Sequence, residues 1–400
     1  MASEYLSERT KGINPSKIRE VFTKVQELKK RGIGVVDFSV GRPDFDTPQH
    51  IKKATKKALD EGLVHYTSSA GIIELREAVC YRFEKDYKLN INPEEVIITA
   101  GASEAGYIAL QSILNQGDEV LVPEPMYVYY SGWSFLGGAK CVTFPLRSED
   151  NFLLNAEEMK KYITPQTKVL ILTSPHNPTG QVFDKDNIKK IAKLAIKYNL
   201  IVISDDIYNK MLYDNVEHFS IVKLDGMKKR TIIIGSFSKT YAMDGWRVGY
   251  LVAPLKIISG AIKMHQHVLS CPNTFVQVGA RVALISSQDC VKEMVTEFDR
   301  RRRLLMSYLD EMSISYVRPR GAFYIFPSIK KFCLRSKEFS DYLLEEARVA
   351  VVPGDAFGKA GEGYIRIAYT TPYEEIEKGM ERVKMALKRI ERSSKIKNFE

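Results

Sequence analysis

Lys239 is the residue of this sequence whose surroundings most clearly suggest chemistry. It follows the apolar run at residues 231–234 and comes directly after Ser236 and Ser238, with Arg247 a little further on. A lysine buried after such a run can lose its charge, because desolvation disfavours the ammonium form, and a neutral amine can attack a carbonyl carbon. The hydroxyls and the guanidinium are groups that bind a phosphate, arginine through paired hydrogen bonds. The segment therefore predicts a reactive amine beside a phosphate-binding group.

Other polar residues also stand where apolar runs end. Ser103 follows the run at 97–99, Asn177 follows the run at 168–173, and Asp205 follows the run at 200–204. In open α/β sheets, ligands bind outside the carboxyl ends of the strands. We therefore expect these distant residues to converge with Lys239 at one edge of a sheet.

The elements that must position these residues alternate between short apolar runs and helical patterns. Runs at 97–99, 119–122, 168–173, 200–204, 231–234 and 248–252 predict buried, mostly parallel strands. The alternation predicts an α/β fold whose large domain has a mostly parallel sheet covered by helices on both faces. After about residue 285 the regular alternation of strands and helices ends. Predicted strands at 322–326, 349–352 and 364–368 indicate a smaller α+β domain. We predict an N-terminal segment (1–45) packed on that small domain, a large domain (46–285) and the small domain (286–400).

Composition narrows the possible functions. The chain has 400 residues, 44% of them hydrophobic and 27% charged, with no apolar stretch long enough for a membrane span and no signal peptide at residues 1–20. We therefore expect a cytoplasmic protein that does not bind a membrane. Five scattered cysteines and six histidines show no metal-ligand spacing, so we expect free thiols and no metal. The net charge of +10 includes the arginines at 300–303, which we interpret as a solvated helix face, not a nucleic-acid site.

Eight short motifs, in the same order along the chain, resemble those of a known family. They are FSVGRPDFDTP at 38–48, HYTSSAGIIELR at 65–76, TAGASEA at 99–105, SPHNPTG at 174–180, SDDIY at 204–208, SFSKTYAMDGWRVGY at 236–250, GAFYIFP at 321–327 and GYIRIAY at 363–369. Together they span nearly the whole chain. The sequence resembles the class I/II, fold-type I aminotransferases that depend on pyridoxal 5'-phosphate (PLP), and among them archaeal and bacterial aspartate or aromatic aminotransferases.

The resemblance implies roles for the residues that match these motifs. Lys239 would hold the cofactor and move the substrate's α-proton, with Asp205 paired to the pyridine nitrogen and Tyr208 bonded to the phenolic oxygen. The remaining cofactor-binding residues implied are Tyr66, Gly101, Ala102, Ser103, Tyr127, Asn177, Ser236, Ser238 and Arg247. Tyr66 matches a tyrosine that reaches the phosphate from a neighbouring subunit, so the resemblance implies a homodimer with composite sites. Asp206, next to Asp205, is interpreted as a helix cap or a surface residue.

The resemblance also implies how substrates are held. Arg366, with Asn177, would bind the α-carboxylate, and Gly41 would lie in a loop that closes over it. The expected reaction transfers the amino group of an acidic or aromatic L-amino acid to a 2-oxo acid such as 2-oxoglutarate, with ping-pong kinetics. Arg42 is a candidate for recognising an acidic side chain, whereas Tyr127, Phe275 or Phe323 are candidate walls for an aromatic one. A carbon–sulfur β-lyase, a cyclopropane-carboxylate synthase or a PLP-binding regulator remain alternatives on the same fold.

Overall fold

The protein is organised around one large sheet and a second, smaller one. The structure, a computed structural model, describes residues 5–397, with side chains to residue 390. The strands are β1 (Val36–Asp37), β2 (Val96–Thr99), β3 (Glu119–Glu124), β4 (Lys140–Pro145), β5 (Thr167–Thr173), β6 (Ile201–Asp205), β7 (Thr231–Ser236), β8 (Gly249–Val252), β9 (Tyr324–Ile325), β10 (Val349–Ala350), β11 (Val352–Pro353) and β12 (Ile365–Ala368).

Helices connect and cover these strands. They are α1 (Glu8–Lys11), α2 (Lys17–Lys30), α3 (Gln49–Asp60), α4 (Ile73–Tyr87), α5 (Ala102–Ile113), α6 (Tyr129–Leu136), α7 (Ala156–Lys160), α8 (Lys185–Lys197), α9 (Phe237–Thr240), α10 (Leu255–Val268), α11 (Thr274–Ile285), α12 (Asp289–Glu311), α13 (Ser336–Tyr342) and α14 (Tyr373–Lys397). Within residues 5–397, none of them is long and apolar enough to cross a membrane.

The large sheet has the strand order β2-β8-β7-β6-β5-β3-β4. Its strands run parallel except β8, which is antiparallel to both of its neighbours, β2 and β7. The predicted α/β fold with a mostly parallel sheet is confirmed, although the run at 248–252 is the exception in direction. The chain returns beside β7 after the short helix α9 and does not cross the sheet face, so β8 pairs antiparallel. The edge strand β4 was not predicted, because its residues are mostly half-buried and do not form an apolar run.

Both faces of the large sheet are buried, which explains its continuous apolar runs. Successive side chains of a strand point to opposite faces. Ile171 and Ile203 pack in the apolar core that contains residues of α5, whereas their neighbours Leu170 and Val202 pack in the core that contains residues of α8. Because neither face meets water, the strands need no polar alternation. The sheet is therefore a rigid support for whatever follows its carboxyl ends.

The second core lies around the antiparallel sheet β11-β12-β9. Val36 and Phe38, from the N-terminal part of the chain, belong to this core together with residues of α12 and α14. Strand β1 also pairs parallel with β10, Val36 opposite Val349. The helix α12 begins at Asp289, near the predicted boundary at 285, and the division into domains stays a prediction.

The arginines at 300–303 are not the solvated face that the sequence suggested. Arg302 is fully buried, its guanidinium lies 2.8 Å from Asp214 and 2.6 Å from Asp299, and Arg301 is also buried. The interpretation was wrong for these two residues, because each pairs with a carboxylate one turn earlier on α12 and with one from a distant loop. Asp44, after β1, serves Arg301, and Asp214, after β6, serves Arg302. A buried guanidinium is tolerated only when it is paired in this way.

We predict that Arg302→Ala lowers the free energy of unfolding by about 2–5 kcal/mol, because it removes a large, fully buried side chain and leaves a cavity in its place. Urea denaturation of the two proteins at neutral pH measures the difference. Arg303→Ala is the matched control, since Arg303 contacts the same two carboxylates but its side chain is 58% exposed. That substitution should cost less than about 1 kcal/mol. Equal losses for the two variants would contradict the assignment of a buried ion pair.

Candidate active site

A cleft of about 650 Å³ opens at the carboxyl edge of the large sheet. Its lining includes most of the residues predicted for the site, namely Gly41, Arg42, Ala102, Ser103, Tyr127, Asn177, Asp205, Tyr208, Ser236, Ser238, Lys239, Arg247 and Arg366. They come from the loops after β1, β2, β3, β5, β6 and β7 and from β12. The structure thus brings together residues that are more than 300 positions apart in the sequence.

Lys239 lies in the cleft on the short helix α9, directly after β7. Its Nζ donates a hydrogen bond to the carbonyl of Gly41 at 2.7 Å, and among the described residues no carboxylate forms an ion pair with it. Burial, reinforced by the positive charges of Arg366 and Arg247 but opposed by Asp244, lowers the pKa of Lys239 to about 8. A substantial fraction of the amine is therefore neutral near pH 8 and can act as a base or a nucleophile.

Gly41 permits the close approach that this hydrogen bond needs. A Cβ at position 41 would collide with the hydroxyl of Tyr324. The loop after β1 can therefore carry its carbonyl over Lys239 only because the residue has no side chain. Arg42, the next residue, is exposed and lines the outer part of the cleft.

Asp205 ends β6 and is almost completely buried. Its Oδ2 accepts a hydrogen bond of 2.5 Å from the hydroxyl of Tyr130, which also lies 2.6 Å from the Thr173 hydroxyl. Desolvation is the largest cause of a pKa raised to about 6, and the Tyr130 hydrogen bond opposes it. A carboxylate in this state is stabilised by any cationic group that enters the cleft beside it.

The start of α5 forms a concave site for an anion. Gly101 has φ of +89°, a conformation that a residue with a side chain rarely adopts, and the first backbone N–H groups of α5 have no partner inside the helix. Arg247 packs closely against this turn. A Cβ on Gly101 would come within 2.5 Å of its guanidinium. Ser236 and Ser238 line the same cleft. Helix N–H groups, a guanidinium and hydroxyls are the groups that hold phosphate in proteins.

A second cationic position lies deeper, at Arg366 on β12. Its guanidinium donates to the side-chain oxygen of Asn177 at 3.2 Å and to the carbonyl of Ser39 at 2.7 Å. The rings of Tyr324 and Phe357 lie 4.5 and 5.0 Å from it, and its Nε has no hydrogen-bond partner. Burial lowers the pKa of Arg366, and no carboxylate among the described residues pairs with it. A buried cation without a counter-ion is a strong site for a carboxylate ligand.

Aromatic residues complete the walls. The hydroxyl of Tyr208 lies 2.8 Å from that of Tyr324, and burial raises the pKa of Tyr208 well above its ordinary value. The ring of Tyr127 packs edge-on against Tyr130 at 5.5 Å and Trp133 at 6.3 Å. These contacts fix the orientation of hydroxyls and rings that face the cleft.

Four predicted site residues do not line this cleft directly. Phe275 and Phe323, the candidate walls for an aromatic substrate, lie outside its lining, and Phe323 packs behind Tyr208 at 5.3 Å. Gly101 acts through its backbone, as described above. Tyr66 lies at the surface of the subunit, 89% exposed, and makes no contribution to the cleft of its own chain. Its predicted role depends on a neighbouring subunit and stays a prediction.

Several site residues were missed in the sequence. Tyr130 donates to Asp205, and Thr173 contacts the hydroxyl of Tyr130. Tyr324 contacts Tyr208, and Arg19 on α2 lines the mouth of the cleft. Tyr324 lies within a motif that was recognised, but no spacing rule indicated which of its residues faces the site. Residues such as Arg19 enter the cleft through packing of the N-terminal helix, which the local sequence does not encode.

Asp206 was misassigned. It is neither a cap nor a surface residue but is 3% exposed, accepts a hydrogen bond from the Ser204 hydroxyl at 2.6 Å and lies 3.4 Å from His218. Consecutive aspartates at the end of a strand point to opposite faces. Asp205 therefore faces the cleft, and Asp206 is buried among polar groups on the other side.

The fold and the site together define a class of enzyme, and comparison with known proteins names it. The family described as aminotransferase class I and II matches residues 33–383, and the chain belongs to this family. It is a transaminase. Aspartate aminotransferase of Pyrococcus abyssi is 47% identical over 386 residues, covering 96% of this chain and 98% of the relative. Aromatic-amino-acid aminotransferase 2 of Thermococcus litoralis is 44% identical, with the same coverage of both chains.

Solved structures show the same architecture. The aromatic aminotransferase of Pyrococcus horikoshii superposes with a TM-score of 0.88 at 46% identity, covering 91% of this chain and 99% of that one. The aspartate aminotransferase of Thermus thermophilus with maleate superposes with a TM-score of 0.92 at 35% identity, covering 95% and 99%. The fold predicted from the sequence is therefore the fold of this family.

We predict that Lys239 in the cofactor-free protein is half-neutral near pH 8. The proton is lost about two pH units below the ordinary lysine value because burial disfavours the ammonium. Brief acetylation across a pH series, followed by peptide mass spectrometry, measures the rate at each lysine, since only the neutral amine reacts. Lys384, whose pKa is raised by its hydrogen bond to Glu311, is the internal control and should react only at higher pH. A Lys239 profile that coincides with that of Lys384 would show that the amine is not desolvated.

Proposed function

We propose that this transaminase uses PLP and transfers the amino group of an acidic or aromatic L-amino acid to a 2-oxo acid such as 2-oxoglutarate, with ping-pong kinetics. The observation that carries the proposal is the unpaired Lys239 amine. It lies in one cleft with the buried carboxylate of Asp205 and the buried, carboxylate-free guanidinium of Arg366. The cytoplasm is the compartment that we predict.

The residues present fit this cofactor. The turn at Gly101, the first N–H groups of α5 and Arg247 suit its phosphate, and the desolvated Asp205 carboxylate suits a protonated pyridine nitrogen. Tyr127 offers a ring face, and Tyr208 and Asn177 offer polar groups to the phenolic oxygen. When bound, the cofactor supplies an aldehyde for the amino group and an electron-withdrawing ring that stabilises negative charge on the substrate's α-carbon.

The chain's own residues then account for binding and proton transfer. The Nε of Arg366 has no hydrogen-bond partner among the described residues, and no carboxylate of that part of the chain competes for its guanidinium. Arg366 therefore holds the α-carboxylate of the substrate. The neutral Lys239 amine takes the proton from the α-carbon and carries it as ammonium, a role that its lowered pKa favours. The Asp205 carboxylate favours positive charge in its neighbourhood. The carbonyl of Gly41 accepts a hydrogen bond from the Lys239 amine and so fixes the position of the amine in the cleft of the cofactor-free protein.

The side-chain pocket can accept either substrate type. Arg19 and Arg42 line the outer part of the cleft, and neither forms an ion pair among the described residues, so both are available to an acidic side chain. Tyr127 and Trp133 supply apolar surface for a ring. Relatives of similar identity are named for aspartate in one case and for aromatic amino acids in the other. We therefore propose activity on both classes.

The proposed active unit is a homodimer whose sites are shared between subunits. Tyr66 is 89% exposed, and Val64 and Val268 are half-exposed apolar residues at the surface. Exposed apolar residues beside a tyrosine are typical of an interface. A second copy packed on this surface would bring its own Tyr66 toward the phosphate site of the first.

The half-reaction tests the proposed activity. We expect the PLP-loaded enzyme to release one equivalent of 2-oxo acid per site from glutamate, aspartate or phenylalanine in the absence of an acceptor. Lys239→Ala should slow this release by about 10²–10⁴-fold or more, because the proton-transfer group is lost. Lys384→Ala, a surface change on α14, should not alter it. Release of ammonia, pyruvate and a thiol from an S-substituted cysteine, with no 2-oxo acid formed from these three amino acids, would instead indicate the β-lyase alternative.

Tyr66 tests the composite site. We predict that Tyr66→Phe raises the dissociation constant for PLP about tenfold, the loss expected for one hydrogen bond to a charged group. Apoenzyme titrated with PLP gives this constant, and sedimentation velocity should show a dimer for both proteins. Tyr81→Phe, at another exposed tyrosine, serves as the control. A monomer in solution, or PLP binding unchanged by Tyr66→Phe, would contradict the shared site.

A further inference from the structure

A buried glutamate–histidine pair lies directly behind the proposed phosphate site. His265 on α10 is fully buried, and its Nδ1 lies 3.0 Å from Oε1 of Glu104 in the first turn of α5. The side chain of Glu104 is 8% exposed. Nothing in the proposed reaction uses either residue, although the pair lies one turn from the cleft.

Glu104 is linked to the turn that precedes α5. Its second oxygen, Oε2, accepts a hydrogen bond of 2.5 Å from the backbone N–H of Ala100, and the carbonyl of Ala100 accepts one of 3.2 Å from Arg247. Ala100 is therefore held by an anion on one side and a cation on the other. The next residue, Gly101, is packed so closely that a Cβ on Gly249 would come within 2.7 Å of its carbonyl carbon. The position of the turn depends on these contacts.

The same carboxylate creates an electrostatic conflict. A negative charge in the first turn of a helix interacts well with the helix dipole, but it repels a phosphate that binds at the same helix end. Because Glu104 is shielded from water, solvent screens this repulsion only weakly. A hydrogen bond from His265 to the carboxylate offsets the charge where it faces away from the cleft.

The remaining contacts of His265 point to the same role. Its Nε2 is buried and has no hydrogen-bond partner among the residues that the structure describes, so the ring makes its polar contact with Glu104. With Glu104 ionised, Nδ1 carries the hydrogen, whether the ring is neutral or charged. Leaving Nε2 unsatisfied costs free energy, and a ring needed only to fill space between α5 and α10 would not require a polar group there.

We propose that His265 is a positioning residue for the phosphate subsite. It offsets the charge of Glu104, so that this carboxylate can hold the turn at Ala100 and Gly101 without repelling the phosphate of the cofactor. The inference rests on the proposed use of PLP. In a purely structural role, the pair would only join α10 to α5. In the proposed role, the affinity for the cofactor depends on the charge of Glu104.

The test is a double-mutant cycle read as the dissociation constant for PLP. Apoenzyme is titrated with PLP, and quenching of tryptophan fluorescence reports binding, since Trp133 lines the cleft. We expect His265→Phe to raise the constant about tenfold, because Glu104 is left uncompensated near the phosphate. Adding Glu104→Gln, which keeps an oxygen for Ala100 but removes the charge, should return it to within about threefold of the wild type.

Two further variants and one control sharpen the result. His265→Asn places an amide N–H near the position of Nδ1 and should bind PLP nearly as well as the wild type. His267→Phe changes an exposed histidine of the same helix and should have no effect. Melting temperatures of the apoenzymes show whether a variant that binds PLP weakly has also lost stability. If His265→Phe does not fold, His265→Ala replaces it with the same expectations.

The outcomes are distinct. Weak binding by His265→Phe that is relieved by Glu104→Gln supports the proposal. Unchanged binding by His265→Phe overturns it, as does a double variant that binds as weakly as His265→Phe alone, which is the result of a structural role. A wild-type protein that binds no PLP at all contradicts the proposed function itself and not only this inference.

Discussion

Burial of positive charge without a nearby counter-ion shapes the active cleft. Arg366 is buried and Lys239 is partly buried, and neither forms an ion pair with a carboxylate among the described residues. Such an arrangement costs free energy in the empty protein, because desolvated charge needs a partner. In the proposed function, these cations bind the carboxylate of the substrate and the phosphate of the cofactor. Burial also lowers the pKa of Lys239, so that its amine can carry protons.

The rest of the fold holds these two cations in place. The large sheet is buried on both faces, so the loops at its carboxyl edge start from fixed positions. The small sheet brings Arg366 on β12 to the same cleft, and β1 joins it through its pairing with β10. Carbonyl groups, such as those of Gly41 and Ser39, satisfy the cations without neutralising them. A carboxylate in either place would have removed the affinity for the substrate.

Much of this could be predicted from the sequence, because the runs of apolar residues and the polar residues that end them are local signals. Lys239, Asp205 and Asn177 each follow such a run, and the parallel direction of the strands brings them together. What could not be predicted depends on contacts between distant segments. Tyr130 meets Asp205 only because α6 packs against β3 and β4, and the burial of Arg302 depends on Asp214, which is 88 positions away. Asp206 was misassigned because its burial depends on residues later in the chain, such as His218 and Ser220, which pack around it.

Reduction of the PLP-loaded enzyme with borohydride, followed by peptide mapping, tests the central claim most directly. Reduction makes the bond between a lysine and the cofactor permanent, so the modified peptide identifies the residue that holds it. The account predicts the added cofactor mass on the peptide that contains Lys239, at one equivalent per chain, and its loss when an amino acid is added before reduction. Modification of another lysine, or no modification of a protein that has bound PLP, would contradict the assignment of Lys239.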